Sequence, residues 1–153
     1  MKFLRSKIID THLDQTRIDS IIVEKNKTAP SVQEEGDFYP RMMGYLVGYI
    51  INGYDLSLFE KVIVFTDSLP VKKKRKAIEK SIKQVLSQRM PANLIYCIYH
   101  HASKSNYDLQ IVDYCNWAIY RKWENGDYRS YDIIKKVIFS EFDIFRKGKT
   151  LYY

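Results

Sequence analysis

The stretch KVIVFTDSLPVKKKRKAIEKSIKQVLSQRMPANLIYCIY, residues 61–99, decides the fold. Val62 to Phe65 is a short continuous apolar run, the pattern of a strand covered on both faces. Val71 to Met90 reads as a long basic helix. Pro91 ends it, because a proline ring removes a backbone donor and clashes with the preceding turn. Asn93 to Tyr99 then reads as a second strand. A strand, a crossover helix and another strand predict a parallel pair.

The alternation continues on either side. Phe3, Leu4, Ile8, Ile9 and Leu13 have helical spacing. Ile18 to Val23 is a β-branched run that predicts a strand, and residues 25–36, with Pro30 and Gly36, predict a loop. Asp37 reads as the N-cap of a helix over Phe38 to Asn52, which Gly53 stops. Tyr107 to Trp123 predicts a further helix, Asn125-Gly126-Asp127 a turn, and Tyr131 to Phe139 the last helix. The tail, residues 140–153, is polar and aromatic and carries at most a short strand. The order predicts a single α/β domain over residues 1–153, with a small, mainly parallel sheet flanked by helices.

Of 153 residues, 46% are hydrophobic, which is enough for a core and excludes a disordered chain. Thirteen tyrosines suit half-buried positions, where the ring packs and the hydroxyl stays bonded. The formal net charge of +7 favours a polyanionic partner, nucleic acid above all, although many basic proteins bind none. Cys97 and Cys115 belong to no CxxC pair and read as free thiols of a reducing compartment. The first residues form no continuous apolar leader. The longest apolar run, Met42 to Ile51, is about ten residues and too short to span a bilayer. These features predict a soluble, cytoplasmic protein with no membrane partner.

Two isolated carboxylates stand out. Asp67 ends the strongest strand signal, where functional residues of parallel sheets collect; it reads equally well as the cap of the next helix. Asp113 lies among Leu109, Ile111, Val112, Cys115, Ala118 and Ile119, and shares a helix stripe with Gln110 and Trp117. A carboxylate buried there needs a metal, or an arginine such as Arg41 or Arg121. Magnesium and manganese take oxygen ligands. Two such ions about 4 Å apart hold both the attacking and the leaving oxygen in phosphodiester cleavage, and they normally need three or four carboxylates.

Lys72-Lys73-Lys74-Arg75-Lys76 is the densest basic run. It reads as a phosphate-contacting face or as a solvated helix face. Cations at a helix start oppose the macrodipole, which tilts the reading toward function. His12, His100 and His101 lack zinc-ligand spacing; one of the pair reads as a general base or as a surface residue. Gly44 and Gly48 predict close packing of a helix on the sheet. There is no glycine-rich phosphate loop, no GxSxG and no environment for a catalytic cysteine.

Residues 103–134, SKSNYDLQIVDYCNWAIYRKWENGDYRSYDII, resemble the C-terminal signature of domain-of-unknown-function family 3800. That signature is a serine, a Leu-Gln-x-x-Asp helix and an Arg-Lys-x-Glu-x-Gly-Asp ending. VIVFTDSLPVKKKRKAIEKSIKQVL resembles the family's strand-Asp-helix unit, and IDSIIVEKNKT with FYPRMMGYLVGYII its upstream strand and helix. The resemblance implies a ribonuclease H-like three-layer fold and a nuclease or phosphodiesterase dependent on Mg²⁺ or Mn²⁺. It makes Asp67 and Asp113 the catalytic, metal-binding acids. Ser103 and Gln110 would support the late helix or touch substrate. Lys25 would be the basic residue after the early strand, and it joins Lys72, Lys73, Lys74 and Arg75 of the basic run as an expected substrate contact. Family members begin with a strand ending in Asp-Glu-Ser-Gly and a hairpin. No counterpart is found here, and Asp10 lies in a helical pattern. The alternative expectation is a catalytically inactive nucleic-acid-binding or assembly module, dimeric or paired with another chain that covers its sheet edge.

Overall fold

The structure is a computed structural model that describes residues 16–30, 35–68, 71–146 and 151. The helix expected over Phe3 to Leu13 lies outside these residues, as do Asp10 and His12. In chain order the elements are β1 (Ile18–Ile22), α1 (Glu35–Asn52), β2 (Lys61–Asp67), α2 (Lys72–Arg89), β3 (Ile95–His101), α3 (Tyr107–Asn125), α4 (Tyr131–Ile134) and β4 (Ile138–Asp143). The fold is mixed α/β with small parallel sheets. The chain divides into two compact units. One takes Met1–Ile22 and Ser103–Asp143, the other Val23–Ala102 and Ile144–Tyr153. We call them the outer and the central unit, after their places in the sequence.

The central unit contains the predicted strand–helix–strand. β2 and β3 pair in parallel and in unbroken register, from Lys61 opposite Ile95 to Asp67 opposite His101. One face of the pair, with Val64, Tyr96 and Ile98, packs on a core of Val47 and Ile51 from α1 and Ile82 and Leu86 from α2. The other face is not covered as the apolar run predicts: Ile63, Phe65 and Tyr99 are exposed. An unbroken apolar run shows that both faces are apolar; it does not show that both are buried.

Gly44 and Gly48 do mark a close approach, but of helix on helix rather than helix on sheet. A Cβ on Gly44 would sit 2.8 Å from the Ser81 hydroxyl of α2, and one on Gly48 would sit 3.2 Å from the Arg89 guanidinium carbon. Ser81 donates that hydroxyl to the Pro40 carbonyl at 2.6 Å, and Arg89 Nη1 reaches the Gly48 carbonyl at 3.4 Å. A Gly44→Val substitution must push α2 away and break the Ser81 bond. We expect a loss of about 2 kcal/mol, the usual scale of core overpacking. Urea unfolding followed by far-ultraviolet circular dichroism checks it.

α1 starts at Glu35, so Asp37 stands inside its first turn instead of capping it. An acidic residue is favourable at both places, so it locates a helix start only to within a turn.

In the outer unit, β1 pairs in parallel with β4, with a register shift between Ile18 and Asp19. The core is Cys115, Ala118 and Ile119 of α3 with Tyr131 and Ile134 of α4, against which Ile18, Ile22, Val137 and Ile138 pack. Here the expected last helix is corrected. It stops at Ile134, and a strand runs from Ile138 to Asp143. Val137, Ile138 and Phe139 are β-branched or aromatic and suit a pleated, half-buried surface better than a helix. Among the described residues no helix is long and apolar enough to cross a membrane.

Candidate nucleic-acid interface

Asp67 is the last residue of β2, at the carboxyl edge of its sheet. It is exposed, and its Oδ1 accepts the Ser68 N–H at 2.8 Å. The alternative role as a helix cap is not realised, because Val71 occupies the N-cap of α2. Asp113 belongs to the outer unit and is exposed. The apolar residues around it in sequence divide between two faces of α3: Leu109, Cys115, Ala118 and Ile119 are buried, whereas Val112 and Trp117 are exposed with Asp113. The expected burial of this carboxylate is thereby corrected. Arg121, one of its expected partners, pairs instead with Asp127 at 2.8 Å.

Ser103 opens a short 3-10 turn leading into α3. Gln110 donates to the Lys104 carbonyl at 3.2 Å, and Asn106 caps the helix by accepting the Leu109 N–H at 3.1 Å. These contacts fix the helix start. Lys25 is exposed on the 3-10 turn that follows β1. Among the described residues no group of three or more His, Cys, Asp or Glu could hold a metal ion.

The most specific part of the resemblance, Arg121-Lys122-x-Glu124-x-Gly126-Asp127, has a structural account. Gly126 takes a left-handed φ of 61° and closes α3, its N–H reaching the Lys122 carbonyl at 3.0 Å. A left-handed terminal residue costs glycine nothing, which is why glycine ends helices. Asp127 turns back to Arg121 and is gripped by Arg129 through two guanidinium bonds of 2.9 and 2.8 Å. Bonds from Arg129 first, then Arg121, hold the Asp127 carboxyl far below the ordinary range. Lys122 reaches Glu141 of β4 at 2.7 Å. Trp123 Nε1 and the Tyr131 hydroxyl each donate to the same carboxylate at 2.5 Å. The motif thus ends a helix and fastens a strand to it.

Asp19, which the sequence reading passed over, is an acid inside β1 with a side chain only 3% exposed. Arg17 pairs with it at 2.6 Å and the Ser140 hydroxyl donates to it at 2.5 Å. It is a satisfied internal ion pair, which matches the rule that buried charges are paired. His100 is only half committed, because its buried Nε2 makes no hydrogen bond among the described residues. Its Nδ1 lies 2.6 Å from the hydroxyl of Thr66, its register partner, and its Nε2 lies 3.5 Å from Glu79, which also pairs with Lys83.

Two exposed groups of side chains stand out, one cationic and one aromatic. α2 carries eight cations and one acid, Glu79. Lys72, Lys73, Lys74, Lys76, Lys80 and Lys83 are exposed and Arg75 is half-buried. Lys72, Lys76, Lys80 and Lys83 are spaced to form one stripe, about 16 Å long at 1.5 Å per residue. At the other side of a short connection, Phe65 and Tyr99 stack with ring centres 5.6 Å apart, and His101 lies 5.4 Å from Phe65. The period-2 positions 65, 99 and 101 are the sequence signal for this ring cluster, once the strand register is known. Searches against family models, curated proteins and solved structures found no match to this chain.

Proposed function

We propose that the chain is a nucleic-acid-binding module built on part of a ribonuclease H-like α/β fold. The observation that carries this reading is α2, with its eight cations, its single acid and six exposed lysines. Helix faces that only need solubility mix both signs. A run of one sign that also opposes the helix dipole has a stability cost, and phosphate contact is the return that physical chemistry offers for it. The +7 charge of the whole chain acts in the same direction over longer range. Binding of this type is insensitive to base sequence, because cations on phosphates set position and not specificity.

Metal-dependent cleavage is the second reading. Two exposed carboxylates favour it, Asp67 at a strand end and Asp113 on α3, both open to solvent and so to ions. Assembly with another copy or another chain fits the two-stranded sheets, whose strands pair with no third strand among the described residues. One experiment separates cleavage from binding. The chain is incubated with labelled single-stranded and duplex oligonucleotides in Mn²⁺ or in EDTA, beside Asp67→Asn and Asp113→Asn variants. We expect retention of the oligonucleotide in both conditions, unchanged in both variants, with its length intact. Shortening that needs Mn²⁺ and disappears in either variant would replace this reading with the hydrolase.

A further inference from the structure

We infer that the open face of the β2–β3 sheet is a stacking platform for the bases of a single-stranded nucleic acid. The inference rests on the nucleic-acid reading above and names the form of the ligand. Phe65 is 41% and Tyr99 45% exposed. Their rings lie within 24° of parallel, and His101 adds a third ring 6.3 Å from Tyr99. All three residues share one face because register places Phe65 opposite Tyr99 and Asp67 opposite His101. Every base has a π-face, so exposed rings on a sheet take unpaired bases without regard to sequence, whereas a duplex keeps its bases stacked inside. Lys61 is exposed at one end of the same face. At the other end the chain passes from Asp67 within five residues to the lysines of α2, the helix that packs on the opposite face.

Charge selects this occupant over a second copy of the chain. A second copy would bring another +7 to a chain that itself carries +7, and like charges oppose docking. A polyanion brings the complementary sign together with the rings that the face can stack.

The test compares the wild-type chain with a Phe65→Ala/Tyr99→Ala variant, using fluorescence anisotropy of a short labelled oligothymidylate and of a duplex of equal length. The result expected is a loss of about 10- to 100-fold for the single strand, with duplex affinity unchanged. Both rings are exposed, so the variant should fold. If it does not, Phe65→Leu/Tyr99→Leu keeps apolar area, removes the π-faces, and should show the same selective loss. Equal single-strand affinity in wild type and variant overturns the platform and leaves cationic binding standing. A wild-type chain that binds neither oligonucleotide removes both. A wild-type dimer that the variant turns into a monomer assigns the face to self-association and also overturns the platform.

Discussion

Replacing Lys72, Lys73, Lys74 and Lys76 together with glutamine should lower nucleic-acid affinity on the order of 100-fold at physiological salt and leave the fold intact. All four are exposed at the start of α2, and none lies in the core that α2 builds with Ile82 and Leu86. Each lost phosphate contact flattens the dependence of log affinity on log salt by roughly 0.7 to 0.9. Four lost contacts flatten it by roughly 3. Stability should move slightly the other way. Cations at a helix start oppose the macrodipole, and neutral residues there relieve that opposition. Binding that collapses while the melting temperature holds or rises is a signature that a solvated face does not give. Anisotropy titrations at several salt concentrations, beside a thermal melt, read both quantities.

The second large effect is in the outer unit, at Glu141. Its carboxylate takes three donors, from Lys122, Trp123 and Tyr131, and the Glu141 and Lys122 side chains are only 12% and 18% exposed. Lys122 also lies 4.0 Å from the centre of the Tyr131 ring. Removing the carboxylate leaves a half-buried ammonium and two polar hydrogens without their acceptor. Losing one partner of such a pair costs more than the pair contributes, so Glu141→Ala should destabilise the unit by about 3 kcal/mol. The two tryptophans of the chain, Trp117 and Trp123, both lie on α3. Tryptophan fluorescence during urea unfolding therefore reports this unit.

The same site predicts a pH dependence. Burial pushes the Glu141 carboxyl up, but bonds from Lys122, Tyr131 and Trp123 outweigh it and hold the folded value below 4.5. A depressed carboxyl contributes fully above its unfolded value and loses that contribution as pH falls through the folded value. At the alkaline end, burial alone would lower Lys122, yet bonds to Glu141 and Tyr131 raise it above 10.5. Its contribution is present below that pH and lost as pH rises through the folded value. Glu141→Gln should flatten both limbs of a stability profile measured by fluorescence. A profile identical to wild type would remove the site from the account of the outer unit.

Legibility followed the range of the interactions. The β2–α2–β3 unit was readable because its strands and helix announce themselves in local apolar pattern and one proline, and because a short crossover leaves only a parallel pairing. β4 was not, because its partner β1 lies some 120 residues earlier and six residues beside a helix-like run show no period of their own. Apolar residues crowd Asp113 in sequence, which is the pattern of a buried position. A 3.6-residue period splits those neighbours between two faces, and which face is covered depends on β1, α4 and β4. The Arg-Lys-x-Glu-x-Gly-Asp ending was visible as a pattern. Its physical content appeared only with Glu141, which meets Lys122 from 19 residues further on. The stacked rings at 65, 99 and 101 needed the register of two strands, which no single stretch contains.

The central claim is that the cationic helix α2 binds nucleic acid through phosphate contacts. Its most direct test is the salt dependence of oligonucleotide binding by the intact chain in EDTA, from 50 to 300 mM salt. The account predicts binding at low salt that falls linearly on logarithmic axes, with a slope of roughly −3 or steeper. Absence of binding at 50 mM salt, or affinity indifferent to salt, would contradict it.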